Sequence, residues 1–255
     1  MRNIILMSAA TLLLMGCGEA RNENTESASA HGKTLAKTTR GDHVDTYFGV
    51  EVSDPYRWLE DDLSSDTADW ITEQNATTRS YIDAISLRDD VKNTVARMQN
   101  FERETAPFIE GGKRYFYRNS GLQNQRVLYR IEDDGSETVF LDPNTFSEDG
   151  TVSMSSVSFT EDGSIVAYQL SEGGSDWRSI VIRDVATGDI LEGPLVNVKF
   201  SGINWLGNEG FFYSSYDKPD GSELSAKTDQ HKLYFHALGT PQSSDIVVFG
   251  ATPEQ

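Results

Sequence analysis

Gly112-Lys113-Arg114-Tyr115-Phe116-Tyr117-Arg118 is a turn glycine leading into an aromatic strand, and its recurrence decides the fold. Glycine tolerates the left-handed backbone of a tight turn, and short runs of aromatic and β-branched residues suit a pleated strand. The same succession returns at Gly163 and at Gly210, spacings of 51 and 47 residues. A second series, the glycine that closes a following strand, falls at Gly135, Gly188 and Gly239, spacings of 53 and 51. Two interleaved series with a period of about 50 residues predict β-propeller blades built from several short strands. The expected strands are 114–118, 126–131, 138–141, 165–170, 179–183, 210–214, 232–238 and 246–249. A β-sandwich is the alternative, and it gives no reason for the period.

At about 50 residues per blade, residues 107–255 hold about three blades. A closed ring takes about four to eight. The expectation is therefore a partial, open propeller, with uncovered sheet faces and an unpaired strand edge.

Upstream the spacing turns helical. Val91, Val95 and Met98 fall on one helix face, and Trp70, Ile71, Tyr81, Ile82 and Ile85 form another apolar stretch. Ser65 or Asp66 is placed to cap the first helix, and 87–90 interrupts the run, which predicts two helices. Their aromatic residues read as ordinary helix packing.

The N-terminus has a different character. Arg2 precedes an apolar stretch over 4–15, the length of a signal-peptide core and short for a membrane span. It ends in Leu14-Met15-Gly16-Cys17, which looks like a bacterial lipoprotein signal cut before Cys17, the residue expected to carry lipid. Cys17 is the single cysteine, so no intramolecular disulfide is available. Residues 18–40 contain no aromatic residue and read as a flexible tether. The expected location is the periplasmic side of a bacterial envelope, lipid-anchored at the outer membrane. The expected organisation is a signal peptide (1–16), a tether (17–40), a helical segment (41–106) and the partial propeller (107–255).

The net charge of −18 opposes nucleic-acid binding and attraction to anionic lipid. No Gly-x-Ser-x-Gly elbow, HExxH, Gly-x-Gly-x-x-Gly or P-loop occurs. Gly173-Gly174-Ser175-Asp176-Trp177 lacks the second elbow glycine and reads as a strand-connecting turn. His31 lies in the tether and His43 in a polar stretch close to it. His231 and His236, five apart, are expected to project to opposite faces of a strand. Glu60-Asp61-Asp62 and Glu132-Asp133-Asp134 read as solvated loop charges. No catalytic residue, cofactor site or metal site is expected in the chain.

Several runs, in order, resemble the prolyl oligopeptidase family of serine peptidases. They are Asp54-Pro55-Tyr56-Arg57-Trp58-Leu59-Glu60-Asp61, the helix ending near Gln74-Asn75, and Tyr115 to Gln125. Leu141-Asp142-Pro143-Asn144, Phe159 with Glu161-Asp162-Gly163, and Ala167-Tyr168 leading to Gly174-Ser175-Asp176-Trp177 follow. Lys232-Leu233-Tyr234-Phe235-His236 and Leu238-Gly239-Thr240 complete the set. The resemblance implies a mainly β chain with N-terminal helices. It would be about three of the seven blades of a propeller, preceded by the N-terminal segment of an α/β-hydrolase domain. It implies cleavage of short peptides after proline, with the propeller restricting entry, no cofactor, and a monomer at full length. It places the catalytic Ser, Asp and His beyond this sequence, so the chain alone is expected to be inactive. Val166 and Val248 fall near the family's cavity-lining positions, yet differ from the aromatic and cysteine residues found there, and both read as strand core. The competing reading is a non-enzymatic lipoprotein with a propeller-like binding module.

Overall fold

The computed structural model describes residues 37–216 and 230–250. Cys17, His31, the expected signal peptide and residues 18–36 of the expected tether lie outside the described residues.

The described chain opens with a hairpin, β1 (Val44–Tyr47) and β2 (Val50–Ser53). Its turn, Phe48-Gly49, has positive φ at both residues. A hairpin was not expected here, because phenylalanine is a poor marker for a turn of that kind. Two helices follow, α1 (Ser65–Ile82) and α2 (Arg88–Gln99), as the spacing predicts. The cap is one residue earlier than expected: Ser64 Oγ accepts from the Asp66 N–H at 3.2 Å. Trp58 and Trp70 meet edge to face, and their indole N–H groups donate to Thr39 and Thr38. Val91, Val95 and Met98 of α2 are exposed, so this face packs on nothing among the described residues.

The β-region is three successive antiparallel meanders. The first contains β3 (Arg103–Glu104), β4 (Phe108–Glu110), β5 (Lys113–Asn119), β6 (Val127–Ile131) and β7 (Glu137–Leu141). Both β3 and β4 pair with β5, and β6 and β7 follow in order. The second runs β8 (Val152–Phe159), β9 (Ile165–Glu172), β10 (Trp177–Asp184) and β11 (Ile190–Lys199). The third runs β12 (Asn204–Leu206), β13 (Gly210–Ser215), β14 (Lys232–Ala237) and β15 (Ile246–Phe249). The ladders of the second and third are joined by a β11–β13 pairing, Val198 with Ser215. Among the described residues every strand pairs with near neighbours in sequence, and no Greek-key crossing occurs. This is the blade succession of an open propeller.

The middle blade is buried on both faces, and the period of two along its strands divides the work. Val166 and Tyr168 of β9 and Val181 of β10 pack with Tyr115, Leu128 and Leu141 of the first blade. Between them, Ala167, Ile180 and Ile182 point the other way, into Ile203, Phe211 and Tyr213. That is why β9 and β10 read as continuous apolar runs rather than alternating ones. Tyr115 and Phe159, with centroids 4.8 Å apart, join the first two blades.

The glycine series has a physical basis. Gly135, Gly188 and Gly239 all adopt φ near +80°. Gly210 is needed for a different reason, since a Cβ there would meet the His236 carbonyl oxygen.

Two long strands were not expected. In β8 the apolar residues Val152, Met154, Val157 and Phe159 lose strict alternation at a register shift between Met154 and Ser156. β11 contains Gly193-Pro194 and irregular pairing with β10, both of which hide a strand from pattern reading.

Candidate functional site

Among the described residues none of the candidate groups forms a nucleophile with a base. Ser175 lies in the turn between β9 and β10, and its Oγ accepts from the Trp177 N–H at 3.1 Å. Among the described residues no group of three His, Cys, Asp or Glu is arranged for a metal ion. Asp133 pairs with Lys113 at 2.8 Å. Hydrogen bonds from the Thr138 hydroxyl and then Arg130 hold the Glu132 carboxyl below its usual range. These are charges satisfied by neighbouring strands of the first blade.

His236 is almost fully buried on β14. Its Nδ1 lies 2.7 Å from Asp245 Oδ1 and its Nε2 2.9 Å from Glu192 Oε2. The other Asp245 oxygen accepts from the Tyr213 hydroxyl at 2.7 Å. Burial, then the hydrogen bond to Asp245, pushes the Tyr213 phenol well up, so it stays a donor. With both ring nitrogens engaged by carboxylates, His236 is closed to a hydroxyl nucleophile and cannot act as the base of a triad. It ties the middle blade, through Glu192, to the third. His231, by contrast, lies in the loop before β14.

The unusual chemistry gathers at one end of the second and third blades. Trp177 starts β10 and pairs directly with Lys199, the last residue of β11. Phe200 follows, Tyr216 follows β13, and His231 precedes β14. Tyr216 stands edge-on to Trp177 and to Phe200, at 6.4 Å from each, and stacks on His231 at 4.6 Å. The Lys199 ammonium sits over the Trp177 ring at 4.8 Å and over the Phe200 ring at 5.3 Å.

Backbone strain marks the same place. Among the described residues the non-glycine positive φ values are at Phe48, Asn197, Phe200 and Gln230. The last three flank the aromatic cluster. A bulky residue such as Phe200, at φ 51°, costs about 1–3 kcal/mol in this region. The residue is nevertheless 61% exposed, so core packing does not offset that cost. Strain of this kind concentrates where a side chain must be presented. Trp177 and Asn197 also line an open cleft of about 900 Å³, shared with Leu63 and Ile71 near and on α1.

Sequence reasoning missed Lys199 and Phe200. Asn-Val-Lys-Phe reads as an ordinary strand end, and only the φ values set it apart. Of the two positions the resemblance implied, Val166 is fully buried as expected. Val248 departs from the expectation of strand core: it is 48% exposed on β15, which among the described residues pairs with β14 alone.

A family model described as "Prolyl oligopeptidase, N-terminal beta-propeller domain" matches residues 36–255. A prolyl endopeptidase of Elizabethkingia meningoseptica is 54% identical over 215 residues, covering 84% of this chain and 30% of that protein. A dual function macrocyclase-peptidase of Galerina marginata is 33% identical, covering 83% of this chain and 33% of that protein. A solved prolyl endopeptidase structure superposes with a TM-score of 0.74 at 28% identity, covering 85% of this chain and 32% of that one. Prolyl oligopeptidase B of Galerina marginata, solved with a 35mer hydrolysis and macrocyclization substrate, gives a TM-score of 0.69 at 31% identity, covering 85% of this chain and 33% of that one. The chain thus spans about a third of the length of the relatives it matches. Open meanders in sequence order, glycines in register with the blades, and these matches lead to one conclusion: the chain belongs to the prolyl oligopeptidase family and comprises its N-terminal β-propeller region.

Proposed function

We propose that this chain is the opening part of an exported serine peptidase that cleaves short peptides after proline, and that its share of the work is substrate admission rather than bond cleavage. The observation that carries this reading is the 54% identity with a prolyl endopeptidase over 215 residues, 84% of this chain. Two features of the fold support it. The exposed apolar face of α1 and α2, with Tyr81, Val91, Val95 and Met98, suits docking on an α/β-hydrolase domain. The aromatic end of blades two and three supplies rings and one cation to a peptide, and proline itself favours flat apolar surfaces. The peptide is held at Phe200 and Tyr216, with the buried Trp177 backing them from below, while the propeller limits the size of what enters.

On this reading the full chain leaves a proline-containing oligopeptide intact, because no hydroxyl beside a free base is present among the described residues. Mass spectrometry of the peptide after incubation checks this. Proline-specific cleavage that disappears in Ser175→Ala, or in any other serine variant of this chain, contradicts it.

The same proposal places the protein on the periplasmic side of the envelope, anchored through lipid on Cys17. Cys17→Ser is expected to shift the protein from the membrane fraction to the soluble fraction. Equal membrane association of both forms rules the anchor out.

A further inference from the structure

We propose that Lys199 is the anion seat of the aromatic end: its ammonium binds a carboxylate of the incoming peptide. This rests on the peptide-admitting role proposed above and adds to it a preference for negatively charged peptides.

Lys199 is only 9% exposed. Burying a lysine is unfavourable unless the charge is paired or hydrogen-bonded. Yet its ammonium meets only two ring faces, Trp177 and Phe200, and no carboxylate among the described residues pairs with it. Scarcity of acids is not the reason, since the chain has 40 Asp and Glu against 22 Lys and Arg. Exposed Lys113, by comparison, finds Asp133. The ring faces orient the ammonium by cation–π attraction. They engage only the side of the ammonium that faces them, and Nζ is not a fully enclosed unpartnered atom, so its other donors reach solvent.

The surrounding backbone points to presentation rather than to filling. Asn197 and Phe200, both at positive φ, bracket the buried Val198 and Lys199. Ser215 Oγ donates to the Asn197 carbonyl and His231 Nε2 contacts the Lys199 carbonyl, so the strained loop is held from two other elements. A held, partly desolvated ammonium attracts a carboxylate more strongly than a solvated lysine does. The carboxylate has two sources in a peptide, the C-terminus and an acidic side chain.

Isothermal titration of the full chain distinguishes them. Four peptides of one length are used: a proline peptide with a free C-terminus, its C-terminal amide, that amide with an internal Gln→Glu change, and the amide with proline replaced by alanine. At least one carboxylate form is expected to bind about tenfold tighter than the neutral amide, and the gap should narrow as salt rises. Which form gains identifies the source. Lys199→Met should remove the gap between charged and neutral peptides, and Lys199→Arg should keep it. Equal binding of charged and neutral peptides by the unmodified chain overturns the proposal, as does a gap that survives Lys199→Met or absence of binding by all four. The alanine peptide addresses the underlying reading separately. If it binds as well as the neutral proline peptide, proline admission fails whatever Lys199 does.

Discussion

His236→Leu is expected to lower the unfolding free energy by about 3–5 kcal/mol. The reason is geometric. The imidazole stands between Asp245 and Glu192, at 2.7 and 2.9 Å. Removing it leaves two carboxylates facing each other without the group that separates them, and the Asp245 side chain is only 3% exposed. Leucine fills similar space, so cavity formation is a minor part of the effect. For a chain of this size the loss corresponds to a fall in Tm of roughly 6–20 °C. Adding Asp245→Asn to His236→Leu should recover part of the loss, because a neutral amide costs less to bury than an unpaired charge. That recovery separates an electrostatic tie from simple packing. A loss below about 1 kcal/mol, or two changes that simply add, would show that blades two and three are held by apolar contacts alone.

The fold was legible in the sequence to the extent that turns and strands used ordinary chemistry. Gly135, Gly188 and Gly239 announced themselves because each turn needs a left-handed residue and used glycine to obtain it. The strands at 232–238 and 246–249 were legible for their aromatic and β-branched content, and they appear as Lys232–Ala237 and Ile246–Phe249. β8 and β11 were hidden by a bulge and by Gly193-Pro194, local irregularities that pairing with neighbours overrides. The hairpin over 44–53 was hidden because Phe48 takes a position normally given to asparagine or glycine.

The candidate site was far less legible. His236 looked like a strand residue, because neither Glu192 nor Asp245 is close enough in sequence to suggest the contact. Lys199 and Phe200 looked like the end of a β-run. Phe200 stands out by backbone strain, and Lys199 by having no carboxylate partner among the described residues, and neither quantity has a sequence signature. Resemblance to the family supplied the architecture, and it pointed to Val166 and Val248 rather than to this loop.

Phe200 carries the second large effect, and it has opposite signs for folding and for binding. Glycine at this position accepts the left-handed backbone without the steric cost. Phe200→Gly is therefore expected to hold stability level or raise it by about 1 kcal/mol, since the exposed ring offers little packing to lose. Peptide binding should weaken by tenfold or more, in the range of an aromatic anchor worth about 2 kcal/mol. Such a trade, strain kept for the sake of function, is what a presented side chain implies.

The central claim is that this strained aromatic end of the propeller region receives the peptide. Its most direct measurement is the affinity of Phe200→Gly for the neutral proline peptide, taken beside its Tm. The account predicts a Tm equal to or above that of the unmodified chain together with at least tenfold weaker binding. Unchanged affinity would contradict it, and so would a fall in Tm large enough to show that Phe200 is packed for stability rather than presented to a ligand.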